Sequence, residues 1–318
     1  MKIISHIILT AFILLSPIAS RAQSIEYGKN LFEQKKYTEA KNVFEKLIQE
    51  NDENAEANYY LGLVFLVGER NYDEEVDFLE AAVELNEKNA RYHYQLGAAY
   101  GSKARESGIF KQMFLAPKVQ SEFERAVELD KTYIEARLGL MQYYLLAPGI
   151  MGGSVGKAKA QADTLFQLSH FQGNLAFAVI SEYEKNVPAA EEFYKRAIAY
   201  DVKEGKGYNA LGYFYLRNKR FDEAIAQFKK YVEVEPGKAN SFDSLGDGYL
   251  GNENYDDAMK QYEKALERDP KFSSSVFGLA KCFEKKGLVK EAKQMYERYL
   301  TLETKGKRAD EAKEKVKN

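Results

Sequence analysis

A chain of 318 residues with 45% hydrophobic and 30% charged side chains can bury a core and is not disordered by composition. A formal net charge of −2 and a pI near 6.1 argue against nucleic-acid binding, which asks for a basic surface. Six prolines, no tryptophan and an abundance of Ala, Glu, Lys and Leu favour long helices over sheet.

The first 22 residues read as a secretory signal peptide. Lys2 supplies a positive start, Ile3 to Leu15 is mostly apolar, and Ser20-Arg21-Ala22 places small residues at the cleavage site. Cleavage after Ala22 deletes Lys2 and Arg21 and no acid, taking the net charge from −2 to −4. No later segment has about 18 consecutive apolar residues, so no membrane span is expected after cleavage. These features place the mature protein in the periplasm or outside the cell. Cys282 is the single cysteine, which excludes an intramolecular disulfide and fits a small core residue.

From residue 23 onward the chain repeats. The run NLFEQKKYTEAKNVFEKL (30–47) has apolar residues spaced by three and four, the mark of an amphipathic helix. Residues 55–89 follow the same plan with one extra residue around Gly68, and Glu75 stands where alanine is expected in the second helix. Residues 90–132 are about nine longer than a unit, with the excess in RESGIFKQMFLAPK (105–118). Next comes EARLGLMQYYLL (135–146), again with helical spacing, and then LAPGIMGGSVGKAKA (146–160). The period is clearest from 205 to 306. Leu211, Leu245 and Leu279 are 34 residues apart, as are Tyr215, Tyr249 and Phe283, then Ala224, Ala258 and Ala292, then Phe228, Tyr262 and Tyr296. Pro236 and Pro270 close the first two of these units. The tail KRADEAKEKVKN puts Ala309, Ala312 and Val316 on one helical face.

Leu-Gly in a first helix, an aromatic one turn later, alanine and an aromatic in a second helix and proline at its exit resemble the tetratricopeptide repeat. The resemblance implies an all-α, right-handed superhelical solenoid of about eight helix pairs, with 307–318 as a capping helix. Residues 23–204 would hold the repeats interrupted by insertions at 105–118 and 146–156, and 205–306 the regular ones. The glycine loop with its flanking Lys-Ala is also similar to the repeat subunits that accompany TRAP-type solute transporters.

The glycine-rich stretch is not a phosphate loop. Counting back from Gly156-Lys157, the first glycine of such a loop falls at Met151, Ala158 stands in the Ser/Thr place, and helix rather than strand precedes it. It reads as a turn between two helices. No cofactor or metal is implied, since His93 and His170, the histidines left after cleavage, lie without Cys or paired acids at ligand spacing. No catalytic constellation competes, so the chain is not expected to be an enzyme.

Two binding surfaces are implied instead. In a repeat of this type the first helices line a concave groove. Tyr59, Tyr60, Leu63, Leu66, Arg91, Tyr94 and Gln95 would form its aromatic half. Asn209, Tyr213, Arg217, Asp243, Asp247 and Lys281 would form its polar half. The two insertions, carried by consecutive units, should be neighbours. Their apolar residues Phe110, Met113, Phe114, Ile150 and Met151 either pack on each other or make an edge patch for a partner. The expected function is an exported scaffold for a protein or peptide partner in the cell envelope. The alternative is a periplasmic small-solute binder or transporter accessory, with a pocket under the insertions.

Overall fold

A computed structural model describes residues 24–317. The expected signal peptide, 1–22, lies outside the described residues. Among those described, the chain forms α-helices joined by turns, with one π turn, one 3₁₀ turn and no strand. The helices are α1 (Ile25–Glu33), α2 (Tyr37–Glu50), α3 (Ala55–Val64), α4 (Tyr72–Leu85), α5 (Ala90–Arg105), α6 (Ile109–Leu129), α7 (Ile134–Leu146) and α8 (Val155–Leu168). They continue with α9 (His170–Tyr183), α10 (Val187–Tyr200), α11 (Gly205–Arg217), α12 (Phe221–Val234), α13 (Ala239–Gly251) and α14 (Tyr255–Arg268). The last are α15 (Ser273–Lys285), α16 (Val289–Leu302) and α17 (Lys307–Lys317). Up to α16 the helices alternate as first and second members of a repeated pair, and α1/α2, α3/α4, α5/α6, α9/α10, α11/α12, α13/α14 and α15/α16 pack as hairpins, neighbours within a unit stacking on one another. The chain divides into two compact units, one up to Gln161 and one from Ala162.

The pairs form for local reasons that recur. Asn or Ser caps many helix starts, as when Asn54 accepts from the Ala57 amide at 3.0 Å and Ser169 from that of Gln172 at 3.3 Å. In the regular pairs the first helix ends on a residue in the left-handed region, Lys35, Lys185, Lys219, Glu253 or Gly287. The amide of that residue and the next one bond back into the last turn, as Lys219 to the Leu216 carbonyl at 3.0 Å and Arg220 to that of Tyr215 at 2.9 Å. That motif turns the chain in few residues and aims the second helix back along the first.

Close packing then follows from glycine meeting an aromatic ring. The Tyr262 ring of α14 lies between Gly246 of α13 and Gly278 of α15. A Cβ at Gly246 would stand 2.6 Å from that ring, and one at Gly278 closer still. Phe123 of α6 is held likewise, 2.9 Å from a Cβ at either Gly97 of α5 or Gly139 of α7. One large side chain thus joins a hairpin to its successor, and Tyr262 and Phe228 are fully buried.

Three pairs depart from the rule. In the second, the extra residue is absorbed by a π turn at Phe65–Glu69, which fits one more residue into a helix end without breaking it. In the third, the excess falls in the insertion expected at 105–118. The structure makes it helix. α6 starts at Ile109 and runs 21 residues with Pro117 inside, so the connection is only 106–108. The apolar residues 109–116 carry the second helix's own spacing backward, and Leu115 and Ala116 are buried by it. In the fourth, the glycine stretch is a turn as expected. Gly152 takes φ +93°, and a Cβ at Gly153 would collide with the Ala147 carbonyl, so both positions require glycine.

Candidate functional site

The groove positions of the regular pairs, all in the second unit, are largely engaged by their own chain. Arg217 grips Glu182 with two nitrogens at 2.8 and 3.1 Å, and Lys281 pairs with Glu311 at 2.9 Å and Glu284 at 3.4 Å. Asp243 and Asp247 lie one turn apart on α13, Asp243 buried and Asp247 half-buried. Ser275 donates to Asp243 at 2.6 Å, while Tyr213 and Tyr262 donate to the two oxygens of Asp247 at 2.8 and 2.7 Å. Burial first, and then the charge of Asp247, push the Asp243 carboxyl up, and burial raises Asp247 as well. Hydroxyl donors from α11, α14 and α15 therefore satisfy this pair in place of cations. Asn209 is half-buried, and its buried side-chain oxygen finds no hydrogen-bond partner.

In the first unit the aromatic residues stack on one another. Tyr59 is only 3% exposed, its ring 4.8 Å from that of Tyr92 and covered by the Arg91 guanidinium at 4.9 Å. Tyr60 is half-buried against Phe44 and Tyr59. Leu63, Leu66 and Gln95 are half-buried too. Tyr94 sits 5.3 Å from Tyr133 and 5.9 Å from Phe123. The expectation that Tyr59 offers its ring to a partner meets a physical obstacle: packing already occupies both its faces.

Beyond Tyr94 the same face of α5 opens. Ala98, Gly101 and Ser102 present almost no side chain there, and a cleft of about 380 Å³ follows, roofed by Gln112 and Ala116 of α6 and by Leu146, Pro148 and Met151. Gly101 differs from Gly97 in the same helix. A Cβ at Gly97 would press on Phe123, whereas one at Gly101 would meet nothing within 4 Å. Glycine inside a helix costs about 1 kcal/mol relative to alanine, and at Gly101 no packing requires it. Arg105 is the single charged residue in the wall. Its Nη2 donates to the Ser102 hydroxyl at 3.1 Å, and no acidic partner lies within ion-pair distance among the described residues. Two wall donors are spent internally, Gln112 on the Ser107 carbonyl at 2.9 Å and the Tyr143 hydroxyl on the Met151 carbonyl.

The insertions come together here. Met151 enters the cleft wall, while Phe110, Phe114, Leu146 and Ile150 are 87, 70, 75 and 84% exposed, and Met113 is exposed as well. Phe110 and Phe114 are one turn apart on α6 and do not pack down. Reasoning from the sequence missed Ala98, Gly101 and Arg105. The available signal was small residues spaced by three and four, AlaxxGlySer, on a helix face where other repeats carry bulk.

Family models of the tetratricopeptide repeat match residues 27–100, 183–241 and 249–316, together more than half of the chain. The chain belongs to the tetratricopeptide-repeat family. No curated protein sequence matches it. Among solved structures, this tetratricopeptide-repeat chain is similar to yeast Tom70, with a TM-score of 0.69 at 15% identity over 98% of this chain. It is also similar to the Cut9-Hcn1 hetero-tetramer of APC/C, with a TM-score of 0.48 at 14% identity over 92% of this chain. It spans 66% of the Tom70 chain and 55% of the other. At such identity the Tom70 likeness speaks for the fold. Interruption of the family matches between 100 and 183 coincides with the long α6 and the glycine turn, so the cleft lies where this repeat chain departs from its family pattern.

Proposed function

We propose that this protein is an exported, noncatalytic scaffold that holds a protein partner of the cell envelope on the edge built by α6 and the 146–151 turn. One observation carries the reading: Phe110, Phe114, Leu146 and Ile150, all brought in by the two departures from the repeat, are exposed by 70% or more. Leaving large apolar side chains in water is unfavourable, and grouped ones mark partner sites on soluble proteins. The family's helix pairs support a scaffold, because they present side chains from rigid elements. Export rests on the signal-like residues 1–22.

The test is capture from an envelope extract by the immobilised chain 23–318, compared with Phe110→Ser/Phe114→Ser/Ile150→Ser. Wild type should retain a defined protein that the triple variant loses, with melting temperatures alike. Equal capture by both chains, or none above a blank column, would refute the edge as the docking surface.

A further inference from the structure

The cleft beside that edge has features a docking edge does not need. Its floor is made by withholding side chains: Gly101 sits inside α5 where any Cβ would stand in open space, and Ala98 lies one turn before it. A mid-helix glycine weakens the helix, and others in the chain are closely pressed by neighbouring atoms, as Gly97 is by Phe123 and Gly62 by Leu79. Gly101 has no such contact, and what it leaves is the cavity. At about 380 Å³ the cavity has room for roughly a dozen water-sized volumes, within the range of small-molecule sites. Its walls are predominantly apolar, from Phe123, Leu146, Pro148 and Met151 among others. One charged side chain lines it, the exposed Arg105, which among the described residues has no carboxylate within ion-pair distance and keeps four N–H groups beyond the one given to Ser102.

We infer that this cleft binds a compact apolar carboxylate, its hydrocarbon part over Ala98 and Gly101 and its anionic end on Arg105. An apolar body matches the walls. A planar anion matches the fork of a guanidinium better than any neutral polar group does. The site does not depend on the edge residues Phe110, Phe114 and Ile150, and it stands or falls apart from partner capture.

Decanoate serves as the probe, and decan-1-ol as its neutral counterpart, each titrated calorimetrically below its aggregation limit into the chain 23–318. Wild type should bind one decanoate saturably and prefer it to the alcohol by at least fivefold. Gly101→Leu should weaken decanoate at least tenfold without lowering the melting temperature, because the new side chain enters free space. Ala98→Leu tests the same filling should Gly101→Leu fold poorly. Arg105→Gln should erase the preference for the acid and leave the alcohol unchanged. Phe110→Ser/Phe114→Ser/Ile150→Ser should bind decanoate as wild type does. Absence of saturable binding, equal affinity for acid and alcohol in wild type, or full affinity in both filled variants would overturn the inference. So would loss of binding in the edge variant, which would move the site onto the patch.

Discussion

Glu75 occupies the place where the repeat takes a small residue in its second helix. It is fully buried, and neither carboxyl oxygen has a hydrogen-bond partner. Burial pushes its pKa up from 4.5 to about 7. A carboxyl whose folded pKa is raised leaves stability intact below its unfolded pKa and removes it as pH climbs through the folded value. From 4.5 to about 7 the loss is about 3 kcal/mol. Glu75→Gln removes the titration. Urea unfolding should show the variant gaining on wild type by about 2 kcal/mol more at pH 8 than at pH 5, and a gap that does not change with pH would contradict this account. His93 acts in the same direction. Its Nε2 faces the Glu87 carbonyl at 2.9 Å and its Nδ1 the Glu122 carboxylate at 2.6 Å, an arrangement complete only when both nitrogens carry protons. Burial alone would lower its pKa, but the two hydrogen bonds outweigh burial and raise it. Its stabilisation is complete below the ordinary histidine pKa and fades as pH rises through the raised one. His93→Gln should therefore flatten the decline of stability above about pH 6.5, read from the same unfolding series. Cys282 contributes no such dependence below neutral, since it is fully buried and burial pushes its thiol up to about 12.

At the scale of elements, α6 takes up the insertion expected at 105–118 as helix. Its glycine and proline do not break the helix, because Gly108 sits just before the first helical residue and Pro117 lies two turns in. The apolar spacing from Ile109 onward continues that of Val119, Phe123 and Ala126. Burial along these turns alternates sharply, so adjacent positions should answer differently. Leu115→Ala, at 3% exposure, should cost about 2–5 kcal/mol, whereas Phe114→Ser, at 70%, should stay within about 0.5 kcal/mol. Chemical denaturation of the two variants decides it, and equal costs would mean that α6 packs in a different register. At the glycine–ring joints the opposite substitution is expected to hurt. Gly246→Ala forces a methyl into the Tyr262 ring and should cost about 1–3 kcal/mol, measurable as a lowered melting temperature. A variant as stable as wild type would mean that Tyr262 can move aside.

For the whole molecule, the architecture was legible because each hairpin repeats the same few steric solutions. The leucine-glycine pairs, the alanines and the ring positions 34 residues apart all name contacts that the structure contains. The binding surfaces were less legible, because groove position says nothing about whether a side chain is already engaged. Tyr59 is stacked, Arg217 and Lys281 are ion-paired, and Asp243 is enclosed by hydroxyls. Only tertiary contacts reveal this, and only they reveal that Gly101 faces open space. α17 also follows the period: Arg308 bonds the Ser274 hydroxyl 34 residues earlier, Lys281 reaches Glu311, and Lys315 reaches Glu284. It stands where the first helix of a ninth pair would stand, with Ala309 and Ala312 sealed against Val276, Phe277 and Tyr299. A chain cut after residue 306 would present that apolar surface bare, a face shaped to accept one more helix. An end that accepts a helix, on a molecule built of such helices, invites head-to-tail polymerisation. Light scattering of the cut chain should grow with concentration while the full chain stays constant, and a monodisperse cut chain would show that α17 guards nothing.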